Sequence, residues 1–413
     1  MNKREPVAVW QVLAASFTIL MVAFSFALFS LPIFYPFLRK TYHWNAAQAS
    51  AGGSIVLLLI GVLGPFIGRL TDRFTPKKVL LTGMCISAVS LVLLSTIASL
   101  TQYYVFCIVL GIGTAAVSLV PTSMLIAPWF STKRGLAVGV INAGVGVAGF
   151  IAPNLTRKLI ETFSMSYAFV ALAVLLAIPF VVTLILVRDV RRAPATAPRH
   201  SLTKVGDVIK TPMFWMFGLG LFFAAHTLTG IQQHLALYMT GHGVTPTNAA
   251  FALSMLLGAS AVGKIGGGAI ADKYSSRVSL LWSIVCLAAG IGGLLAVAPG
   301  SPAVYWSAAI FGLGYGGVFN APPLIAFEHF GTEKVGTILG LFMMFFGVGT
   351  SSGGLVAGMI FDRTHNYANS FSVDLVSCGI GFVLFFAAAW IARTTGPEEL
   401  AAQARIRARI RAA

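Results

Sequence analysis

Charge is what this sequence has least of: charged residues make up only 10% of its 413 positions, against roughly a quarter in soluble domains, while 57% are hydrophobic. A water-soluble globular fold is thereby excluded, and an integral membrane protein is expected. Cysteine is scarce as well. Cys85, Cys107, Cys286 and Cys378 are scattered through apolar segments without metal-ligand spacing, so they read as small hydrophobes. No Walker phosphate loop, nucleophile and base pair or metal-ligand set stands out, so neither an enzyme nor ATP-driven transport is supported, and no cofactor or metal is expected. A net charge of +16 would fit a nucleic-acid partner if it were clustered, but the basic residues fall between apolar runs and read as topology signals.

Those runs are what the sequence has in abundance. Twelve apolar stretches between residues 9 and 393 are each long enough to cross a bilayer, which predicts an all-α membrane protein. The basic start MNKREPVAVW leads into a run too long for a signal-peptide core, so the first helix is expected to be retained. Lys and Arg crowd the two ends and the even-to-odd loops, while the opposite loops carry only Arg39, Lys40, Arg157, Lys158 and Arg363. Both termini are therefore expected in the cytoplasm of an inner or plasma membrane. The hydrophilic stretch 188–212 separates six helices in 1–187 from six in 213–393 and reads as a flexible cytosolic linker. Residues 394–413 form a basic cytosolic tail, as an interfacial helix or a solvated end.

The two halves repeat. GIGTAAVSLVPTSMLIAPWFSTKRG from Gly111 lies without a gap over GLGYGGVFNAPPLIAFEHFGTEKVG from Gly312, GRLTDRF at Gly68 over GAIADKY at Gly268, and NAAQAS at Asn45 over NAAFAL at Asn248. Repeats of six helices in the same orientation predict two pseudo-symmetric bundles related by an axis along the membrane normal. The substrate site then lies between them near the midplane.

One residue breaks the apolar pattern most sharply. Lys264 sits in the glycine-rich FALSMLLGASAVGKIGGGAIADK, eight residues before Asp272, which is roughly 12 Å from the polar end of the helix. An ionisable group at that depth usually faces a bundle interior or an aqueous cavity, so Lys264 is a candidate anion site. Snorkelling to an interface is the alternative, and from that depth the reach falls short unless water enters. All twelve acidic residues read as loop, tail or helix-end positions, with Glu328 and Asp374 nearest the membrane, so no carboxylate proton carrier is expected at the midplane.

Gly68-Arg69-Leu70-Thr71-Asp72-Arg73-Phe74-Thr75-Pro76-Lys77-Lys78 resembles the signature loop between helices 2 and 3 of the major facilitator superfamily, with a degenerate copy from Gly268 to Arg277. Within it, YHWNAAQAS, WFSTKRGLAVGVINAGVGVAG, GKIGGGAIADK and EHFGTEKVGTILGLFMMFFGVG are similar to the monocarboxylate porters and oxalate/formate antiporters. Those families usually have arginine where Lys264 stands, and animal members place an aspartate where this chain has Ser260. The antiporters carry a lysine in helix 11, in the region of Phe345 and Phe346 here. A single ammonium clamps less well than a bidentate guanidinium, which favours a monocarboxylate. The resemblance implies the major facilitator fold, with Asp72, Arg69, Arg73, Asp272 and Arg134 as gating residues that pair across the cytosolic ends; a basic topology anchor is the alternative.

In that fold, helices 1, 4, 7 and 10 line the cavity, and the candidate substrate-binding residues beside Lys264 are Tyr315 and Phe319 of helix 10, Thr114 of helix 4, Asn142 of helix 5 and His226 of helix 7. Each has a second reading. Tyr315 can simply pack, Asn142 can bond helix to helix, His226 can be a hydrogen-bonded core imidazole, and Phe319 can belong to the bundle core. The function expected is secondary active transport of a small monocarboxylate of the lactate or pyruvate class, with Lys264 or His226 carrying a coupled proton. The alternative is anion exchange of the oxalate/formate type, or carriage of another small organic anion. The expected partners are that anion, protons and the lipid bilayer, without nucleic acid, and the working unit is a monomer.

Overall fold

Local signals start most of the helices. Asn45 accepts from Gln48 N while the Gln48 side chain accepts from Asn45 N, a reciprocal capping box, and Thr211, Thr245 and Ser275 each cap a later helix through their hydroxyls. In the computed structural model, which describes residues 6–130, 133–187, 205–298, 300–330 and 335–394, these helices form twelve spans. In chain order they are α1 (Val9–Tyr42), α2 (Gln48–Val62 with Gly64–Arg73), α3 (Pro76–Leu94), α4 (Leu100–Ile126), α5 (Arg134–Thr162) and α6 (Met165–Leu186). The second six are α7 (Pro212–Gly241), α8 (Thr247–Lys273), α9 (Ser276–Ala296), α10 (Ala303–His329), α11 (Val335–Thr364) and α12 (Tyr367–Ile391). Eleven run without a sharp bend, α4 with a short break at Val117 and Ser118 and α6 at Leu176, and α2 bends by 50° between its two pieces, just before Pro65. Each is long and apolar enough to cross a membrane. Of the stretch read as a linker, 205–209 is a one-turn helix, Val205–Ile209; residues 188–204 and the tail from 395 lie outside the described residues.

Helices of the first six meet helices of the last six along two seams, α2 on α11 and α5 on α8. Small residues permit the approach. Gly61 faces Gly347, Gly64 faces the Gly340 carbonyl and Gly68 the Gly336 carbonyl; on the other seam Gly146 faces Ala261, Gly139 the Lys264 carbonyl and Gly135 the Gly268 carbonyl. These are the same contacts twice, related by the offset of 200 to 201 already visible in the sequence. A side chain at Gly68 or Gly139 would collide with backbone, which explains why glycine recurs at these depths.

The repeat continues at the ends that carry the basic loops, here called the basic face. Lys77 donates to the carbonyls of Leu184 (3.0 Å) and Val187 (2.6 Å), closing the last turn of α6. Its counterpart Arg277 donates to Ala389 O of α12 at 3.2 Å. Asn45 and Asn248 do not share a role: Asn45 caps its helix, whereas Asn248 N is itself capped by Thr245.

Candidate functional site

At the basic face each seam ends in a carboxylate. Asp272, at the end of α8, accepts from Gly135 N at 2.6 Å and Leu136 N at 2.7 Å, the first turn of α5. Asp72, at the end of α2, accepts from Gly336 N at 3.1 Å, Thr337 N at 2.8 Å and Thr337 Oγ1 at 2.7 Å, at the start of α11. Free N–H groups and the positive end of the helix dipole make a helix start a good seat for a carboxylate. The acceptor of each latch belongs to one half of the chain and the donors to the other. Two of the arginines stand apart from the aspartates. Arg69 and Arg73 are exposed, and Arg73 lies over Phe74. Arg134 bonds Phe130 O at 3.0 Å and stacks 4.9 Å from the Phe327 ring of α10. Among the described residues, backbone amides and Thr337 supply hydrogen bonds that link the halves at the two aspartates, and Arg134 also lies within electrostatic reach of Asp272.

Lys264 lies above the α5 and α8 latch, and only 2% of it is exposed. Its backbone is held on both sides: Gly139 of α5 lets the chains touch at its carbonyl, and Gly316 of α10 lets them touch at its N–H. Asn320 of α10 donates to the same carbonyl at 2.5 Å and accepts at Oδ1 from Asn142 Nδ2 at 2.8 Å. Asn142 is thus part of a buried bridge joining α5, α10 and α8, which fixes where Lys264 stands. In this arrangement it positions Lys264, while its own Oδ1 has no hydrogen-bond partner among the described residues.

The Lys264 side chain runs instead to aromatic faces. Nζ is 4.9 Å from the centre of the Phe319 ring and 5.8 Å from that of Tyr315. Phe346 of α11 buttresses Phe319 edge-on at 5.7 Å, while Phe345 turns away to Phe214 and Trp215 of α7. Tyr315 and Phe319 are only half-buried. Among the described residues, no carboxylate forms an ion pair with Lys264 Nζ and no group accepts a hydrogen bond from it or from the Tyr315 hydroxyl. Ring faces offset part of a buried cation's lost hydration, on the order of 1 to 2 kcal/mol, far less than a counter-charge would. A protonated Lys264 here lacks its anion.

The remaining candidates fall elsewhere. Thr114 is buried and spends its hydroxyl on Leu110 O of its own helix at 2.8 Å, so it is placed as packing. His226 sits near the middle of α7 but bonds Ser352 of α11 through Nδ1 at 2.8 Å, with Nε2 3.7 Å from Asp374 Oδ1. It belongs to the seam of α7, α11 and α12, not to the Lys264 group. Asp374, one of the two acids read as nearest the membrane, stands two turns into α12, which begins at Tyr367, and is 2% exposed, packed against α7. Its signal in the sequence was weak, one acid among apolar neighbours in FSVDLVSC, with a partner on a distant helix.

Comparison with known proteins agrees with this fold. The sequence model of the Major Facilitator Superfamily matches residues 15–354. Monocarboxylate transporter 13 of Rattus norvegicus is 25% identical over 402 residues, covering 96% of this chain and 93% of that protein. MFS transporter asaE of Aspergillus flavus is 24% identical over 352 residues, covering 83% and 78%. The crystal structure of the E. coli fucose:proton symporter superposes with a TM-score of 0.71 at 15% identity, covering 91% of this chain and 97% of that one, a likeness of fold. With the matched model spanning most of its length, this membrane-spanning chain belongs to the Major Facilitator Superfamily, whose fold and family are those of transporters.

Proposed function

We propose that this protein moves a small monocarboxylate across the membrane together with one proton, by alternating access. The observation that carries the reading is the Lys264 amine, buried against the rings of Phe319 and Tyr315 with no acid beside it among the described residues. A carboxylate entering from the half-buried side of those rings supplies the missing charge, and the Tyr315 hydroxyl is free to donate to it. One compact cation suits one carboxylate. The rings suit a short alkyl or keto end. The name of the Rattus norvegicus relative, a monocarboxylate transporter, points the same way at 25% identity.

In the cycle, the basic face is the cytoplasmic one and both termini lie there. The units 1–187 and 213–393 rock against each other as a single-chain machine, with Asp72 and Asp272 releasing the starts of α11 and α5 when that face opens. A lone anion entering against an inside-negative potential costs about 2.3 kcal/mol per 100 mV; one accompanying proton makes the event neutral. Purified protein in liposomes tests this. Labelled lactate, pyruvate, acetate, formate and oxalate are offered in counterflow, then under an imposed pH difference. The expected result is exchange of a monocarboxylate and its accumulation under an inward proton gradient. Strictly matched exchange, with no response to a protonophore, would replace symport by anion exchange and leave Lys264 as a permanent docking charge.

A further inference from the structure

Away from the Lys264 group, α12 buries a carboxylate that transport of an anion does not by itself require. Asp374 lies in a niche built for it. Gly230 of α7 leaves the space its two oxygens occupy, Thr227 Oγ1 donates to the Asp374 carbonyl at 3.1 Å, and Oδ2 has no hydrogen-bond partner. The other oxygen, Oδ1, faces His226 Nε2 at 3.7 Å, beyond hydrogen-bond range and within reach of an ion pair. The titratable groups brought to Asp374 by its neighbouring helices are few. Among the described residues they are His226 from α7 and Cys378 one turn along α12, whose thiol is turned to Ile284 O of α9; α11 contributes the uncharged Ser352. Among the described residues no lysine or arginine is paired with the carboxylate.

The hydrogen bonds around the imidazole sharpen this. Ser352 Oγ lies 2.8 Å from Gly349 O and 2.8 Å from His226 Nδ1, and its hydroxyl has one proton to give. When it serves Gly349 O, the ring must donate from Nδ1, and a neutral ring then turns a bare Nε2 toward a bare carboxylate. When it serves the ring, Nε2 carries the proton, but a full negative charge remains buried beside a neutral imidazole. Both arrangements are one proton short. A proton on Asp374 gives a neutral acid facing Nε2, and a proton on His226 gives an ion pair; either removes the uncompensated charge, which burial otherwise makes costly by several kcal/mol.

We propose that His226 and Asp374 together form the site that binds the co-transported proton, separate from the carboxylate site at Lys264. This rests on the symport reading above. The pair ties α12 to α7 and, through Ser352, to α11, the helix whose start is latched by Asp72. Loss of the proton leaves a buried charge at that junction and disfavours the closed packing of the three helices. Binding restores it, so the carboxylate-loaded carrier passes between the two faces only with the proton aboard, and the empty carrier, having released both, returns without it.

The test is Asp374→Asn, in which a neutral amide imitates the protonated acid. The expected result is counterflow of the monocarboxylate within about twofold of the parent, since exchange needs no proton release, with loss of accumulation under an inward proton gradient. His226→Gln should lose the same accumulation. Infrared difference spectra of the parent protein between acid and alkaline buffer should carry a protonated-carboxyl or imidazolium band that Asp374→Asn removes. Undiminished gradient-driven accumulation by Asp374→Asn overturns the proposal. So does loss of its counterflow while the parent shows no such band, which makes the pair a structural tie. A parent protein indifferent to the proton gradient is a different failure, that of the symport reading itself.

Discussion

On α2 a glycine, Gly64, stands where α8 carries Lys264, and each residue meets a glycine of the opposing helix, Gly340 in one seam and Gly139 in the other. The backbones approach alike, but only one seam has a charged side chain to send inward. The same holds farther out. Charged residues are absent from the interior of α6, whereas α12 buries Asp374; α1 has none before Arg39, whereas α7 carries His226. Duplication has thus kept the moving parts equal: two glycine seams, two carboxylate latches, and a basic staple on α6 and on α12. On the proposed function the chemistry sits in the second half. A rocking device needs matched hinges and seams, while a substrate needs only one counter-charge, so the asymmetry follows from the work each region does.

The largest effect should come from removing that counter-charge. Lys264→Gln is expected to lower monocarboxylate uptake in proteoliposomes by on the order of a hundredfold or more, because a desolvated carboxylate left without its cation is strongly disfavoured. Folding should be little affected, since the backbone of Lys264 is what Asn320 and Gly139 hold, as a thermal melt in detergent would register. Lys264→Arg should keep partial transport. Near-normal uptake by Lys264→Gln would return Lys264 to the status of its glycine counterpart and remove the contrast between the halves.

Next in size is the comparison between repeat partners Tyr315 and Thr114. The Tyr315 hydroxyl, on a half-buried residue, has no hydrogen-bond partner among the described residues, whereas that of Thr114 is spent on Leu110 O. Tyr315→Phe should weaken substrate binding by about 1.5 to 3 kcal/mol, the range for a bond to a charged group, or roughly 10- to 150-fold in Kd. Thr114→Val should leave Kd within about twofold. Titration of binding by tryptophan fluorescence checks both, and equal losses would mean that both halves contact the carboxylate.

Much of this was legible in the chain itself. The twelve spans, the duplication and the depth of Lys264 follow from hydropathy and from counting residues along a helix, because such patterns are local. Tyr315 and Phe319 could be placed beside Lys264 because helix 10 lines the cavity in the fold that the motifs suggested. Asp374 could be read as an acid near the membrane, but its neighbour His226 lies on another helix, so the pair could not be read from the local pattern. Arg69 and Arg73 were expected in the gate because side-chain charges are visible in a sequence; the amide groups that Asp72 and Asp272 bind are backbone and leave no letter. The bond from Asn142 to Asn320 shows the same limit. Two amides on different helices can each be called polar, but their pairing requires the packed bundle.

The smallest expected effect separates the two latches. Asp72 accepts from two amides and the Thr337 hydroxyl, whereas Asp272 accepts from two amides, one of them that of Leu136, whose side chain has nothing to donate. One extra bond of this kind is worth about 0.5 to 1.5 kcal/mol net, which corresponds to roughly two- to tenfold in the ratio of closed to open basic face. Thr337→Val should therefore open the α2 and α11 seam by that factor and leave the α5 and α8 seam unchanged. Distances between spin labels across each seam at the basic face report the two populations separately. Asp72→Asn should open its seam further than Thr337→Val does, since it weakens three bonds at once, and Arg69→Gln should change neither, because Arg69 is exposed and outside the latch. If Arg69→Gln opened the seam as far as Thr337→Val, the closing force would lie in the charge of the signature loop, and the match between the two latches would be one of sequence more than of mechanism.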